Sequence, residues 1–152
     1  MALEISTAGI TLSYCVETTA GTKPTTGYTN IPNIKSIPDF NPTPSSLDVT
    51  DLSDTAYKRY IVGLTDVGGA LAFGANITKA FANAWSTLVT AYTTGTATSL
   101  KTWFKISVPN FGDFYFTGIP TALGLPASEV DAVFEGDVYI TPNTIEGWTI
   151  AA

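Results

Sequence analysis

The stretch LKTWFKISVPNFGDFYFTGI, Leu100 to Ile119, reads as two strands and the hairpin between them. Thr102, Phe104, Ile106 and Val108 fall on one face of the first strand, and Trp103, Lys105 and Ser107 on the other. A period of two over seven or more residues is the mark of a half-buried strand, since successive side chains leave a strand on opposite sides. Pro109-Asn-Phe-Gly-Asp113 supplies turn residues for the connection, and the return strand Phe114–Ile119 sets Phe114 and Phe116 against Tyr115 and Thr117.

Outward from this hairpin, most of the chain repeats the same signature. Gly9–Glu17 alternates Ile10, Leu12, Tyr14 and Val16 with Thr11, Ser13, Cys15 and Glu17. Thr18–Tyr28 is a Gly/Pro/Thr-rich loop, and Thr29–Ile37 is a further strand in which Pro32 implies an edge or a bulge. Leu71 and Phe73 suit a short strand ending at Gly74, after a turn signalled by Thr65–Gly69. A last strand over Ala132–Thr141 turns Phe134, Val138 and Ile140 one way and Glu135, Asp137 and Tyr139 the other. The single helical pattern covers residues 77–93, with Ile77, Phe81, Ala84, Trp85, Leu88, Ala91 and Tyr92 at three- and four-residue spacing. Asn76 or Thr78 is its cap, and Thr93-Thr-Gly95 its stop. Strands, one helix, then strands define a mainly β single domain: a β-sandwich or partly open barrel with one flanking helix.

Residues 38–60, PDFNPTPSSLDVTDLSDTAYKRY, do not fit that body. Three prolines, four aspartates and few large apolar groups give 23 residues no core of their own. That is longer than the roughly 12–15 residues at which a structureless loop becomes uncommon. An extended arm or hairpin projecting from the body, ordered by a partner, is the expected form.

Composition removes whole classes of function. The 152 residues include no histidine and one cysteine, so His-dependent nucleophile systems and thiolate zinc sites are excluded, and Cys15 reads as a buried structural thiol. With 13 acidic and 7 basic residues and a net charge of −6, affinity for nucleic-acid phosphates has no source. Only 13% of residues are charged, against 25 threonines, a neutral hydroxyl-rich surface poorly protected from self-association. Met1–Ser6 lacks a basic start and a continuous apolar run, so synthesis in the cytoplasm, without a membrane anchor, is expected.

Three constellations invite chemistry and fail. Asp48, Asp51 and Asp54 recur at every third position, whereas a calcium loop needs alternating ligands, a turn glycine and a closing glutamate. Their expected use is a solvated loop capped by its own Asp and Ser side chains. Gly63–Gly69 lacks the Lys-Ser/Thr ending of a phosphate loop. Glu135 and Asp137 share a strand face without an opposing acid or aromatic cleft. Lys58-Arg59, between Tyr57 and Tyr60, is the one basic-aromatic cluster, and pairing with aspartates of the same arm, in a copy-to-copy contact, is its better use.

The run from Leu47 to Gly69, LDVTDLSDTAYKRYIVGLTDVGG, resembles the hallmark of major tail tube proteins of long-tailed bacteriophages and prophages. Its marks are a Val-Thr step, a basic residue with an aromatic, then Ile-x-Gly-Leu-x-Asp-x-Gly. The helix, the aromatic strand hairpin with Phe116-Thr-Gly118, and the late acidic strand follow in the expected order. The resemblance covers most of the chain, 1–152 forming one tail-tube-type domain without a C-terminal immunoglobulin-like decoration domain. It implies hexameric rings stacked as a tube in the virion tail, a conduit for DNA in transit. The implied partners are the subunit itself, a tape measure protein, a tail terminator and distal tail or initiator proteins. It assigns Asp48, Asp51, Asp54, Tyr57, Lys58 and Arg59 to inter-ring contact and turns Glu135 and Asp137 to the lumen. Neither the residues nor the resemblance calls for a cofactor, and no catalytic role is expected. A β-sandwich binding module, either glycan-binding through Trp103, Tyr115, Tyr139 and Trp148 or a decoration protein, is the alternative from another class.

Overall fold

The computed structural model describes residues 8–40, 43–66 and 69–150. Seven strands form one antiparallel sheet: β1 (Thr11–Val16), β2 (Thr29–Ile31), β3 (Ile34–Ser36), β6 (Leu71–Asn76), β7 (Thr102–Val108), β8 (Gly112–Pro120) and β9 (Glu135–Ile150), in the order β2-β1-β7-β8-β9-β6-β3. A separate two-stranded sheet pairs β4 (Thr43–Asp48) with β5 (Tyr60–Asp66). Helix α1 spans Lys79–Ala97.

The first and last strands of the large sheet are separated in sequence by two residues, Pro32 and Asn33. Laid flat, six strand spacings would hold them about 29 Å apart. The chain from Ile31 to Ile34 reaches about 11 Å at most. The sheet therefore curls until its edges nearly meet, giving a nearly closed barrel. The strand expected over Thr29–Ile37 is thus two short strands on opposite edges. Pro32 donates no ladder hydrogen bond, and Asn33 takes the left-handed conformation (φ 64) that asparagine tolerates, so the chain turns a corner there.

Alternation fills the barrel interior. Leu12, Tyr14, Phe73, Phe104, Ile106, Phe114, Phe116, Val138 and Ile140 are buried in one cluster that also takes Phe81, Trp85 and Leu88 from α1. Phe104 and Phe116 pair across β7 and β8 with ring centroids 5.2 Å apart. Trp85 sends its indole N–H to the carbonyl of Thr121 at 2.8 Å, so the largest buried ring leaves no donor unpaired.

The structure moves several boundaries. Thr78 caps α1, its hydroxyl accepting from the Phe81 N–H at 3.1 Å, while Asn76 ends β6. The helix does not stop at Gly95 but runs to Ala97, because Gly95 continues the buried stripe after Leu88 and a side chain there would meet Val16. Likewise β6 passes through Gly74 to Asn76. The last strand begins at Glu135, leaving Phe134 outside it, and extends to Ile150, pairing first with β6 and then along β8 with two register shifts. Pro38–Phe40 belongs to the body: the Phe40 ring lies 4.7 Å from Phe116 and 5.9 Å from Phe73. The arm is accordingly the hairpin 43–66. The expected turn around Val67–Gly68 and the Met1–Ser6 segment lie outside the described residues.

Candidate functional site

The β4–β5 hairpin pairs only with itself, in the register Leu47↔Ile61 and Asp48↔Tyr60. Directly opposed residues share a face and neighbours alternate, so Leu47 with Ile61 covers one side and Tyr60 with Val62 the other. Neither side is covered. Leu52 and Leu64 are 103% and 92% exposed, and Leu47, Tyr57, Tyr60, Ile61 and Val62 are also exposed.

The tip between the strands is held by its own polar groups, with Arg59 at the centre. Arg59 Nε donates to Asp54 Oδ2 at 2.8 Å and Nη2 to Asp51 Oδ2 at 3.2 Å, while its backbone N–H donates to Thr50 Oγ1 at 2.8 Å. Val49 N–H donates to the Arg59 carbonyl at 3.0 Å. Each aspartate accepts from a nearby backbone N–H: Asp48 from Thr50, Asp51 from Ser53 and Asp54 from Asp51. Bonds to the ionised form favour it. The Thr50 hydroxyl and N–H hold the Asp48 carboxyl below its ordinary range, and Ser53 does the same for Asp51. For Asp54, the Asp51 N–H and then the Arg59 guanidinium have that effect.

Of the six arm residues singled out in the sequence, four are thus brought together within one copy. Lys58 and Tyr57 stand apart. Tyr57 is 86% exposed, and among the described residues Lys58 forms no ion pair. Glu135 and Asp137 sit on the outer wall of the barrel at the start of β9. Glu135 is ion-paired with Lys35 of β3, and Asp137 lies opposite Gly74 of β6. Of the two acids expected to face a lumen, one is therefore already paired with a lysine.

The aromatic candidates for a sugar platform are mostly engaged. Trp103 Nε1 donates to Glu17 Oε2 at 3.0 Å. Tyr115 carries Lys23 Nζ 4.1 Å over its ring and meets Tyr28 edge-on at 5.9 Å. Trp148 packs edge-on against Phe111 and Phe114. Tyr139 is the one left open. The Thr18–Tyr28 loop produces this arrangement by folding over the outer face of β1, β7 and β8, tied down by Lys23 to Glu146 and by the Gly21 N–H to Glu17. Cys15 is half-buried under it, and burial raises its thiol pKa, the mark of an unreactive sulfur.

Two features escaped the sequence reading. One is the extent of the arm: it runs past Tyr60 through the exposed apolar run Tyr60–Leu64, which has apolar residues on both faces of β5. The other is a groove of about 590 Å³ between the 121–127 segment and the start of β9. Among the described residues no group of acids or thiols is placed to hold a metal, and no helix is long and apolar enough to cross a membrane. The chain matches no protein-family model and no curated protein sequence.

Proposed function

We propose that this chain is a structural, self-assembling subunit: the tail tube protein of a long-tailed bacteriophage or prophage. Its rings of six would stack into a tube through which DNA passes. The observation that carries the reading is the uncovered apolar hairpin β4–β5 beside a nearly closed barrel. A soluble monomer rarely displays a contiguous apolar surface of this kind, and such patches mark interaction sites. In a ring the hairpin meets a different surface of the next copy, a heterologous contact, the kind that generates rings when it closes and filaments when it does not. The length of exposed strand edge on β4 and β5 adds a second reason for a partner.

The acidic balance fits the same function. Six copies multiply the charge of −6 sixfold, and acids along a lumen repel phosphate and keep transiting DNA from adhering. The tape measure protein, terminator and initiator proteins are the partners such a tube requires, and the virion tail is its location.

Negative-stain microscopy and sedimentation of the purified chain over a wide concentration range test the reading. Rings or tubes of uniform width are expected. A chain that remains monomeric at the highest concentration overturns it.

A further inference from the structure

The arm joins β6 at Leu71, and a groove runs along β9 beside that strand, from Glu135 to Tyr139. We infer that the arm tip of one copy docks in this groove on the next copy, Leu52 entering beside Leu125 and Lys58 meeting Asp137. The inference rests on the self-assembly reading and goes beyond it by naming the receiving surface.

The placement comes from topology. β5 ends at Asp66 and β6 begins at Leu71, so the arm is anchored at the Leu71 end. At the far end, Asn76 pairs with Glu135 and the chain continues into Ile77, which lines the groove. Leu71 and Asn76 are five residue steps apart, about 17 Å, and the groove spans most of that length. A knob and a socket on different surfaces make a heterologous contact when each copy's knob enters the socket of the next, and each new copy then presents a fresh socket.

The socket is lined mainly by apolar side chains, with Glu135 and Asp137 on one wall. Its volume of about 590 Å³ is bounded by Ile77, Leu123, Leu125, Pro126, Val138 and Tyr139. Val138 belongs to the buried core, and Pro126 rests on β9 at Gly136, where a Cβ would stand 2.7 Å from it. Glycine at this position allows the 121–127 segment to approach and form a wall. Leu125 is 87% exposed on that wall, and Leu52 is fully exposed at the arm tip. An apolar side chain seated in a desolvated pocket is the usual anchor of a protein interface.

Charge selects the occupant. Arg59 is spent on Asp51 and Asp54, and Lys35 on Glu135. Among the described residues Lys58 on the arm and Asp137 on the groove wall form no ion pair, and they have opposite sign. Opposed potentials across a contact set its register and suppress wrong pairings. This assignment gives Asp137 to the contact between copies rather than to the lumen.

The full chain tests this in two ways. Lys58→Glu and Asp137→Lys are each expected to raise the concentration needed for assembly about tenfold, and the two together to restore it to within about threefold. In a Cys15→Ser background, Leu52→Cys with Leu125→Cys is expected to give a ladder of disulfide-linked oligomers on oxidation, and neither alone to do so. If assembled wild-type material persists while the charge variants assemble normally and no ladder forms, the docking is overturned and the self-assembly reading stands. A wild-type chain that never assembles overturns both.

Discussion

Arg59 Nε lies 2.8 Å from Asp54 Oδ2, at the tip of an arm whose two strands pair only with each other. The basic residue that the sequence offers to a neighbour thus organises its own loop, and Lys58 beside it is left to face outward. Reversing both charges at once would mix a folding defect with a contact defect. Arg59→Ala alone is expected to loosen the tip: the Val49 N–H, which donates to the Arg59 carbonyl, should lose most of its protection in hydrogen exchange. The thermal midpoint of the barrel should stay put, since exposed ion pairs contribute little to global stability. Unchanged exchange at Val49 would show that the guanidinium is not what holds the tip.

Gly95 makes a prediction whose sign depends on magnitude. Alanine in a helix interior is favoured over glycine by about 1 kcal/mol. A Cβ at Gly95, however, would stand 2.8 Å from Val16 Cγ1 and 3.4 Å from the Leu100 carbonyl oxygen. Overpacking of this kind costs about 1–3 kcal/mol. Gly95→Ala should therefore lower stability in chemical denaturation, and Val16→Ala should relieve part of the loss, giving a coupling of about 0.5 kcal/mol or more in a double-mutant cycle. A gain in stability on Gly95→Ala would mean that the close approach between helix and strand is absent.

The parts of the fold that were legible share a physical cause. Phe104, Ile106, Phe114 and Phe116 alternate because one face of each strand is in the core, and Phe81, Trp85 and Leu88 repeat at helical spacing for the same reason. Burial imprints a period on sequence. Closure of the barrel leaves no such mark: Pro32 reads as an edge or a bulge, and the edge is right, but only pairing with β1 on one side and β6 on the other reveals a corner between two edge strands. Gly95 misled because glycine ends helices by its conformation and also allows close packing, and sequence cannot distinguish the two. At the candidate site the arm's separateness was visible in its prolines and aspartates. Its extent was not, because Tyr60–Leu64 carries the apolar residues of a core strand without being covered. The groove is assembled from residues 77, 121–127 and 135–139, which no local pattern relates.

Glu17 gives the protein an acid-sensitive clasp. It is 2% exposed and accepts from Trp103 Nε1 at 3.0 Å, from the Lys101 N–H at 2.9 Å and from the Gly21 N–H at 3.3 Å. Burial pushes its pKa up, but the bonds from Trp103, Lys101 and Gly21 outweigh it and hold the carboxyl below the ordinary glutamate range. A lowered folded pKa contributes stability that is complete above the unfolded value, about 4.3. That contribution is lost as pH falls through the folded value. The melting temperature should accordingly decline on acidification below about pH 4.3. Glu17→Gln should flatten that decline and, with one donor facing an amide N–H, cost about 1–3 kcal/mol at neutral pH. An acid limb that is equally steep in the variant would assign it to other carboxylates.

The uncovered strand β5 separates monomer stability from association. Leu64 and Val62 are 92% and 74% exposed, so replacing them with Ser and Thr removes nothing from the core. Surface changes of this kind shift folding stability by about 0.5 kcal/mol or less. If a second copy covers them, each leucine- or valine-sized side chain withdrawn from water is worth about 1.5–3 kcal/mol at the contact. That corresponds to a rise of about 10- to 100-fold in the concentration at which oligomers form. Leu64→Ser and Val62→Thr should thus unfold at the wild-type denaturant midpoint while sedimenting as smaller species. Leu64→Ile should sediment as wild type does. Equal sedimentation of Leu64→Ser and wild-type assemblies would show that β5 faces solvent in the assembly, and the contact would have to lie on another surface of the barrel.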